Sequence, residues 1–273
     1  MLHPCRLRQP IHGAPLFSCA PYLLKKRFGQ HFLTDPSILR RIVQFANIGL
    51  DDTVVEIGPG TGALTRHLAA AARHVIAIEI DRDLIAGLRS DLPENVEIIE
   101  GNALTLDFPS GPFHIAGNLP YNVSTPLLKR FIELRDRIQD VTVMIQKEVA
   151  GRLTAKPGGD YGSLSVLIQY YANVKYGFTV RPGAFKPRPK VDSAVIRLNW
   201  KPDVPEAREF TDFVQRAFAS RRKKLVNNLV HLFPSLDRAE ILRHMEEAAV
   251  AANARPEELS VSEFLRVYNQ FRS

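Results

Sequence analysis

"VVEIGPGTGALT", residues 54–65, is an apolar run that breaks into three glycines at alternate positions. It then resumes as ALTRHLAAAA, whose apolar residues have helical spacing. A short apolar run closed by glycine reads as a buried strand. Gly58, Gly60 and Gly62 let the backbone come close to a ligand and take positive φ. A strand turning through glycines into a helix is the first unit of a doubly wound sheet, and such sheets bind ligands at the carboxyl ends of their strands. The spacing is G-x-G-x-G, not the G-x-G-x-x-G of dinucleotide binders. Read alone, the segment also fits a tight turn with no ligand.

The alternation continues outward. HVIAIEI, NVEIIEG, FHIAGN and VTVMIQ read as further strands, and DRDLIAGLRSDL and STPLLKRFIELRD as helices between them. KEVAGRLTA and YGSLSVLIQYYA are two more helices, and YGFTV and SAVIRLNW two closing strands. Strands alternating with helices imply a mostly parallel α/β sheet. The last two strands are separated by a Pro-rich loop, which predicts a hairpin with an antiparallel strand at one edge. After about residue 203 the β pattern stops, and four helices follow: REFTDFVQRAFAS, RRKKLVNNLVHLF, LDRAEILRHMEEA and VSEFLRVYNQF. The expected organisation is a basic extension over residues 1–24, an α/β domain over 25–203 and a helical domain over 204–273.

Composition narrows the partners. The 273-residue chain is 45% apolar but has no run long enough to cross a membrane. Its two cysteines, Cys5 and Cys19, lie at the N-terminus and no Cys/His group has zinc spacing, which fits a reducing cytoplasm and no metal. The net charge of +7 is concentrated. Residues 1–34 carry Arg6, Arg8, Lys25, Lys26 and Arg27 and no acid, whereas the rest is close to balanced. A basic arm on a near-neutral body suits a nucleic acid, whose phosphates supply most non-specific affinity. Residues 1–20 also read as a plain extension. They lack the apolar segment of a secretory signal, although an acid-free, Arg-bearing start is a feature of organelle transit peptides.

The strand ends carry the chemistry. Glu79 closes AIE about 20 residues past the glycines, where a carboxylate accepts from ribose hydroxyls. Asp81 fits a helix N-cap. Asn102, in EGNAL, fits either a turn or the edge of an adenine, to which an amide can both donate and accept. GNLPYN (117–122) ends the next strand. There the Asn118 side-chain oxygen and the Leu119 carbonyl can accept from an exocyclic amine, Pro120 stiffens the loop, and Tyr121 can stack on a base. Two acceptors aimed at the amine hydrogens favour a pyramidal nitrogen with an available lone pair.

KKRFGQHFL (25–33), VVEIGPGTGALT, AIEID, GNAL, GNLPYN, QKEVAGRL (146–153), YGSLSVL (161–167) and FKPRPKVDSAVIRL (185–198) follow one another in this order. With them the chain resembles the ribosomal RNA adenine N6-dimethyltransferases, closest to the bacterial small-subunit branch. NLPY, rather than the N/D-PPY of DNA adenine methylases, favours RNA. The resemblance implies a Rossmann-like methyltransferase fold with a seven-stranded sheet and S-adenosylmethionine as cofactor. It assigns His31 and Leu33 to the methionine end of the cofactor, Gly58 and Gly60 to the glycine loop, Glu79 to the ribose and Asn102 to the adenine. Asn118 falls at the junction of cofactor and target amine, and Phe185 opposite Tyr121, the two enclosing a flipped base. The family more often has Asp at position 102 and Asn at position 31.

Three basic groups are expected to meet RNA: Lys25, Lys26 and Arg27; Arg181, Lys186, Arg188 and Lys190 around Phe185; and Arg221, Arg222, Lys223 and Lys224 at a helix start, where the helix dipole disfavours cations. The implied reaction is N6,N6-dimethylation of two adjacent adenosines in the 3′-terminal hairpin of small-subunit ribosomal RNA, by a monomer acting on the assembling subunit. Rival readings are a large-subunit resistance methylase, a non-catalytic assembly or transcription factor of the same family, and a nicotinamide dehydrogenase.

Overall fold

The computed structural model describes residues 31–205, 208–220 and 223–272. The chain begins with a two-residue strand β1 (Phe32–Leu33) and helix α1 (Pro36–Ala46). Asp35 caps α1, its carboxylate accepting from the Ser37 and Ile38 N–H groups, and Pro36 occupies the first turn, where no donor is needed. β2 (Thr53–Ile57), α2 (Ala63–Ala69), β3 (His74–Glu79), α3 (Arg82–Arg89), β4 (Val96–Glu100) and β5 (Phe113–Asn118) then alternate as the spacing predicts. α4 (Ser124–Glu133), β6 (Ile138–Gln146), α5 (Lys147–Thr154), α6 (Ser163–Tyr171), β7 (Ala172–Val180), a second short strand β8 (Phe185–Lys186) and β9 (Ser193–Trp200) complete the α/β part.

Seven strands form one sheet in the order β4-β3-β2-β5-β6-β9-β7, while β1 and β8 pair separately. β9 runs antiparallel to both neighbours. The antiparallel strand is therefore inside the sheet, and β7, not β9, forms the edge. Burial explains this difference from expectation. SAVI of β9 is buried throughout, which suits an interior strand, whereas β7 exposes Asn173, Lys175 and Tyr176.

α7 (Arg208–Ala217), α8 (Leu225–Leu232), α9 (Arg238–Glu247) and α10 (Val261–Gln270) match the four expected helices. Their apolar faces share a core with α6, in which Tyr161, Val166 and Tyr170 pack with Phe210, Phe213, Leu229 and Phe264. A second core lies on one face of the sheet beneath α4 and α5, and a third on the other face beneath α1 and α2. Among the described residues no helix is long and apolar enough to cross a membrane.

Candidate active site

The parallel strands end along one rim of the sheet. Four of them, β2 to β5, deliver the loops that line a cavity of about 190 Å³. Gly58 has φ 69° and a Cβ there would meet nothing within 4 Å, so the backbone itself forms that wall of the cavity. Gly60, at φ 59°, lies so close to the Phe32 ring that a Cβ would approach it to 2.8 Å. β1 thus folds over the glycine turn and brings His31 and Phe32 to the cavity wall.

Glu79 lies on this wall and is 4% exposed. Its carboxylate accepts from the Gly60 N–H at 3.1 Å and from the Ile80 and Asp81 N–H groups at 2.9 Å each. Burial pushes its pKa up and the three N–H groups pull it back, with a net rise. A carboxylate has about four acceptor sites, so there is capacity for a further donor on the cavity side. Asp81 caps α3 through the Asp83 N–H, which leaves Glu79 free of that role. Asn102 makes the turn contact and also faces the cavity. Its side-chain oxygen accepts from the Leu104 N–H at 3.0 Å, a turn contact, while the residue lines the cavity.

Deeper in the same glycine turn, Glu56 is 1% exposed beside Gly58, Gly60 and Asn118. Burial pushes its pKa up to about 8, the Thr65 hydroxyl pulls the other way, and the Glu79 charge adds to the rise. The carboxyl is therefore neutral near pH 7.

GNLPYN closes the cavity on the β5 side. The Leu119 N–H donates to the Met144 carbonyl at 3.0 Å, extending the β5–β6 ladder one residue past Asn118. Pro120 and Val123 form a turn at 3.1 Å. The Asn118 amide nitrogen donates to the His31 backbone carbonyl at 2.8 Å. A carbonyl only accepts, so this bond fixes the amide orientation and leaves the Asn118 oxygen available on the cavity side. His31 Nδ1 is 2.9 Å from the Pro187 carbonyl, so Nδ1 carries the hydrogen. The His31 ring lies 5.7 Å from that of Tyr121, tilted by 31°.

Two of the expected site residues, Phe185 and Leu33, stand apart from the main cavity wall. The Phe185 ring is 1% exposed and packs in the sheet core with Leu33, Val180 and Val195. Pairing of β8 with β1, Leu33 opposite Phe185, turns both side chains inward. Among the described residues, the ring paired with Tyr121 is that of His31. Leu33 is not on the main cavity wall, where Phe32 stands, but lines the adjoining cavity with Gly58, Gly60 and Asn118. The run HVIAIEI predicts Ile80 as strand, whereas β3 ends at Glu79 and Ile80 stands 46% exposed at the cavity. Its position directly after Glu79 was the available signal.

Arg181, Lys186, Arg188 and Lys190 are all exposed around β8, as are Lys223 and Lys224 at the start of α8. None forms an ion pair among the described residues. Lys25, Lys26, Arg27, Arg221 and Arg222 lie outside the described residues. Among those described, no group of three or more His, Cys, Asp or Glu side chains is placed to hold a metal.

The model of the family "Ribosomal RNA adenine dimethylase" matches residues 22–273. The chain belongs to this family. It is similar to the ribosomal RNA small subunit methyltransferase A of Hahella chejuensis, with 43% identity over 256 residues, 89% of this chain and 91% of that protein. The protein of the same name from Shouchella clausii is 42% identical over 263 residues, covering 90% and 89%. Among solved structures, a dimethyladenosine transferase from Plasmodium falciparum superposes with a TM-score of 0.77 at 28% identity, covering 89% of this chain and 98% of that one. The 23S rRNA methyltransferase ErmE gives 0.70 at 29% identity, covering 89% and 100%. Membership of this family excludes the nicotinamide dehydrogenase reading.

Proposed function

We propose that the chain transfers methyl groups from S-adenosylmethionine to N6 of two adjacent adenosines in the 3′-terminal hairpin of small-subunit ribosomal RNA. The observation that carries this reading is the orientation of Asn118, with its amide nitrogen held by His31 and its oxygen left for an amine. The names of the relatives at 42–43% identity support the small subunit as substrate over the large one.

The residues fit the cofactor. Gly58 leaves space where a side chain would stand. Glu79 is held to receive a ribose hydroxyl, and Ile57, Ile78 and Ile80 provide apolar surface beside Asn102 for a purine. Bound there, S-adenosylmethionine supplies a methyl on a sulfonium, already activated for displacement. In the first transfer the Asn118 oxygen and the Leu119 carbonyl accept the two hydrogens of the adenine amine, which holds the nitrogen pyramidal and its lone pair free; in the second, one N–H remains for one of these acceptors, and the proton released by the methylated nitrogen each time passes to solvent. Tyr121 supplies a stacking face that offsets the cost, on the order of a few kcal/mol, of extruding the base. The exposed cations around β8 and α8 supply phosphate contacts, and the substrate is the assembling small subunit, met in the cytoplasm by a monomer.

The test is transfer of labelled methyl to small subunits lacking the modification, with large subunits, naked RNA and DNA alongside. Label as N6,N6-dimethyladenosine in small subunits alone is the expected result. Label in large subunits reassigns the substrate, and no label with the cofactor bound makes the chain a binding factor.

A further inference from the structure

The hydroxyl of Tyr121 lies 2.6 Å from that of Ser193, 72 residues further along the chain. Ser193 is fully buried and opens β9, where its backbone pairs with Gln146 of β6 on one side and Val180 of β7 on the other. It is therefore fixed by ladders on both flanks. Tyr121 sits in a loop beyond the last ladder bond of β5, and among the described residues its backbone is held locally, by the Ser124 hydroxyl donating to its carbonyl at 3.2 Å. A tyrosine in such a loop keeps two rotatable side-chain bonds. The Ser193 contact fixes the far end of the ring and His31 packs near it. Burial pushes the Tyr121 phenol pKa up, so the hydroxyl keeps its proton and both partners remain neutral.

We infer that Ser193 is a positioning residue for methyl transfer, holding the Tyr121 ring in the plane on which the target adenine stacks. This rests on the reading of Tyr121 as the stacking face given above. The base must bring its amine within hydrogen-bond reach of the Asn118 oxygen, and displacements of about 1 Å at a reacting centre lower rates by on the order of 100-fold.

Ser193→Ala, Tyr121→Phe and the double variant test this in single-turnover methyl transfer to unmodified small subunits. Each single variant is expected to lower the rate about tenfold, with cofactor affinity and binding stoichiometry unchanged. The double variant is expected to be no slower than either single one, because both remove the same bond. A wild-type rate in Ser193→Ala, or a multiplicative loss in the double variant, overturns the inference. A purely structural role shows instead as a reduced fraction of cofactor-binding protein. An arm independent of the substrate uses tyrosine labelled with ¹³C in the ring. The Tyr121 signals, identified by their loss in Tyr121→Phe, are expected to shift and broaden in Ser193→Ala; unchanged signals overturn the inference even where the substrate itself proves different.

Discussion

Asn118 and His31 are 87 residues apart and joined by a 2.8 Å bond from side-chain amide to backbone carbonyl. The bond ties the end of β5 to the segment that covers the glycine turn, and it selects which end of the amide faces the cavity. Replacing Asn118 by Ala is expected to lower the methyl-transfer rate by at least about 100-fold, as removal of one oriented polar group does elsewhere. RNA binding should persist. Asn118→Asp keeps the oxygen but sets a carboxylate against the His31 carbonyl, so it should be impaired as well. A rate within a few-fold of wild type in either variant would remove Asn118 from the reaction.

Glu79 receives three backbone N–H groups. In Glu79→Gln one of the oxygens becomes an amide donor facing N–H groups. Hydrogen bonds to charged groups contribute roughly 1.5–3 kcal/mol, so cofactor affinity measured by calorimetry should fall about 10- to 100-fold, with little change in the single-turnover rate at saturating cofactor. Loss of rate with affinity intact would move Glu79 from binding to chemistry.

Glu56 keeps its proton to about pH 8 when folded, against an ordinary value of 4.5. A raised folded pKa contributes stability that is complete below the unfolded value and lost as pH rises toward the folded one. Glu56→Gln cannot ionise. Its stability relative to wild type should therefore climb between about pH 4.5 and 8, by up to about 1.4 kcal/mol per pH unit. Denaturant midpoints across that range measure it, and parallel curves for the two proteins would mean that Glu56 ionises normally.

At the opposite rim of the sheet, His114 bridges Asp140 at 3.0 Å and Asp52 at 3.3 Å, and Arg197 meets Asp140 at 2.7 Å. Burial alone lowers the His114 pKa. The hydrogen bond and charge of Asp140, with the Asp52 charge, outweigh that and the opposing Arg197, so the net shift is upward. Stability from this contact is thus complete below the ordinary histidine value near 6.5 and lost as pH rises through the raised one. His114→Gln should be most destabilising below pH 6.5 and progressively less so as pH rises above it. A pH-independent difference would show that the imidazole stays neutral.

Much of this was legible in the chain because it is local. The glycine turn, Glu79 after its strand and NLPY after the next are each written in a few consecutive residues, and the sheet brings them together by its own rule that ligands lie at carboxyl strand ends. α1 carries only a short local signal, the helix start Asp35-Pro36. Phe185, the Asn118–His31 bond and the Tyr121–Ser193 pair were not legible, because each depends on register between segments 72 to 152 residues apart. One residue of slip in the two-residue pairing of β1 with β8 would reverse which side chains face the cavity. The same holds for the His114 cluster, whose members sit in four separate stretches.

Helix α6 has a consequence for how the chain can be taken apart. Tyr161, Val166 and Tyr170 belong to the same packed layer as Phe210, Phe213 and Phe264. A chain ended before α7 would lay that aromatic layer open to water and invite aggregation. A chimera that exchanges the terminal helices between relatives has to carry residues 161–171 along with them, so the useful crossover point lies before α6 rather than at the change in sequence pattern near residue 203.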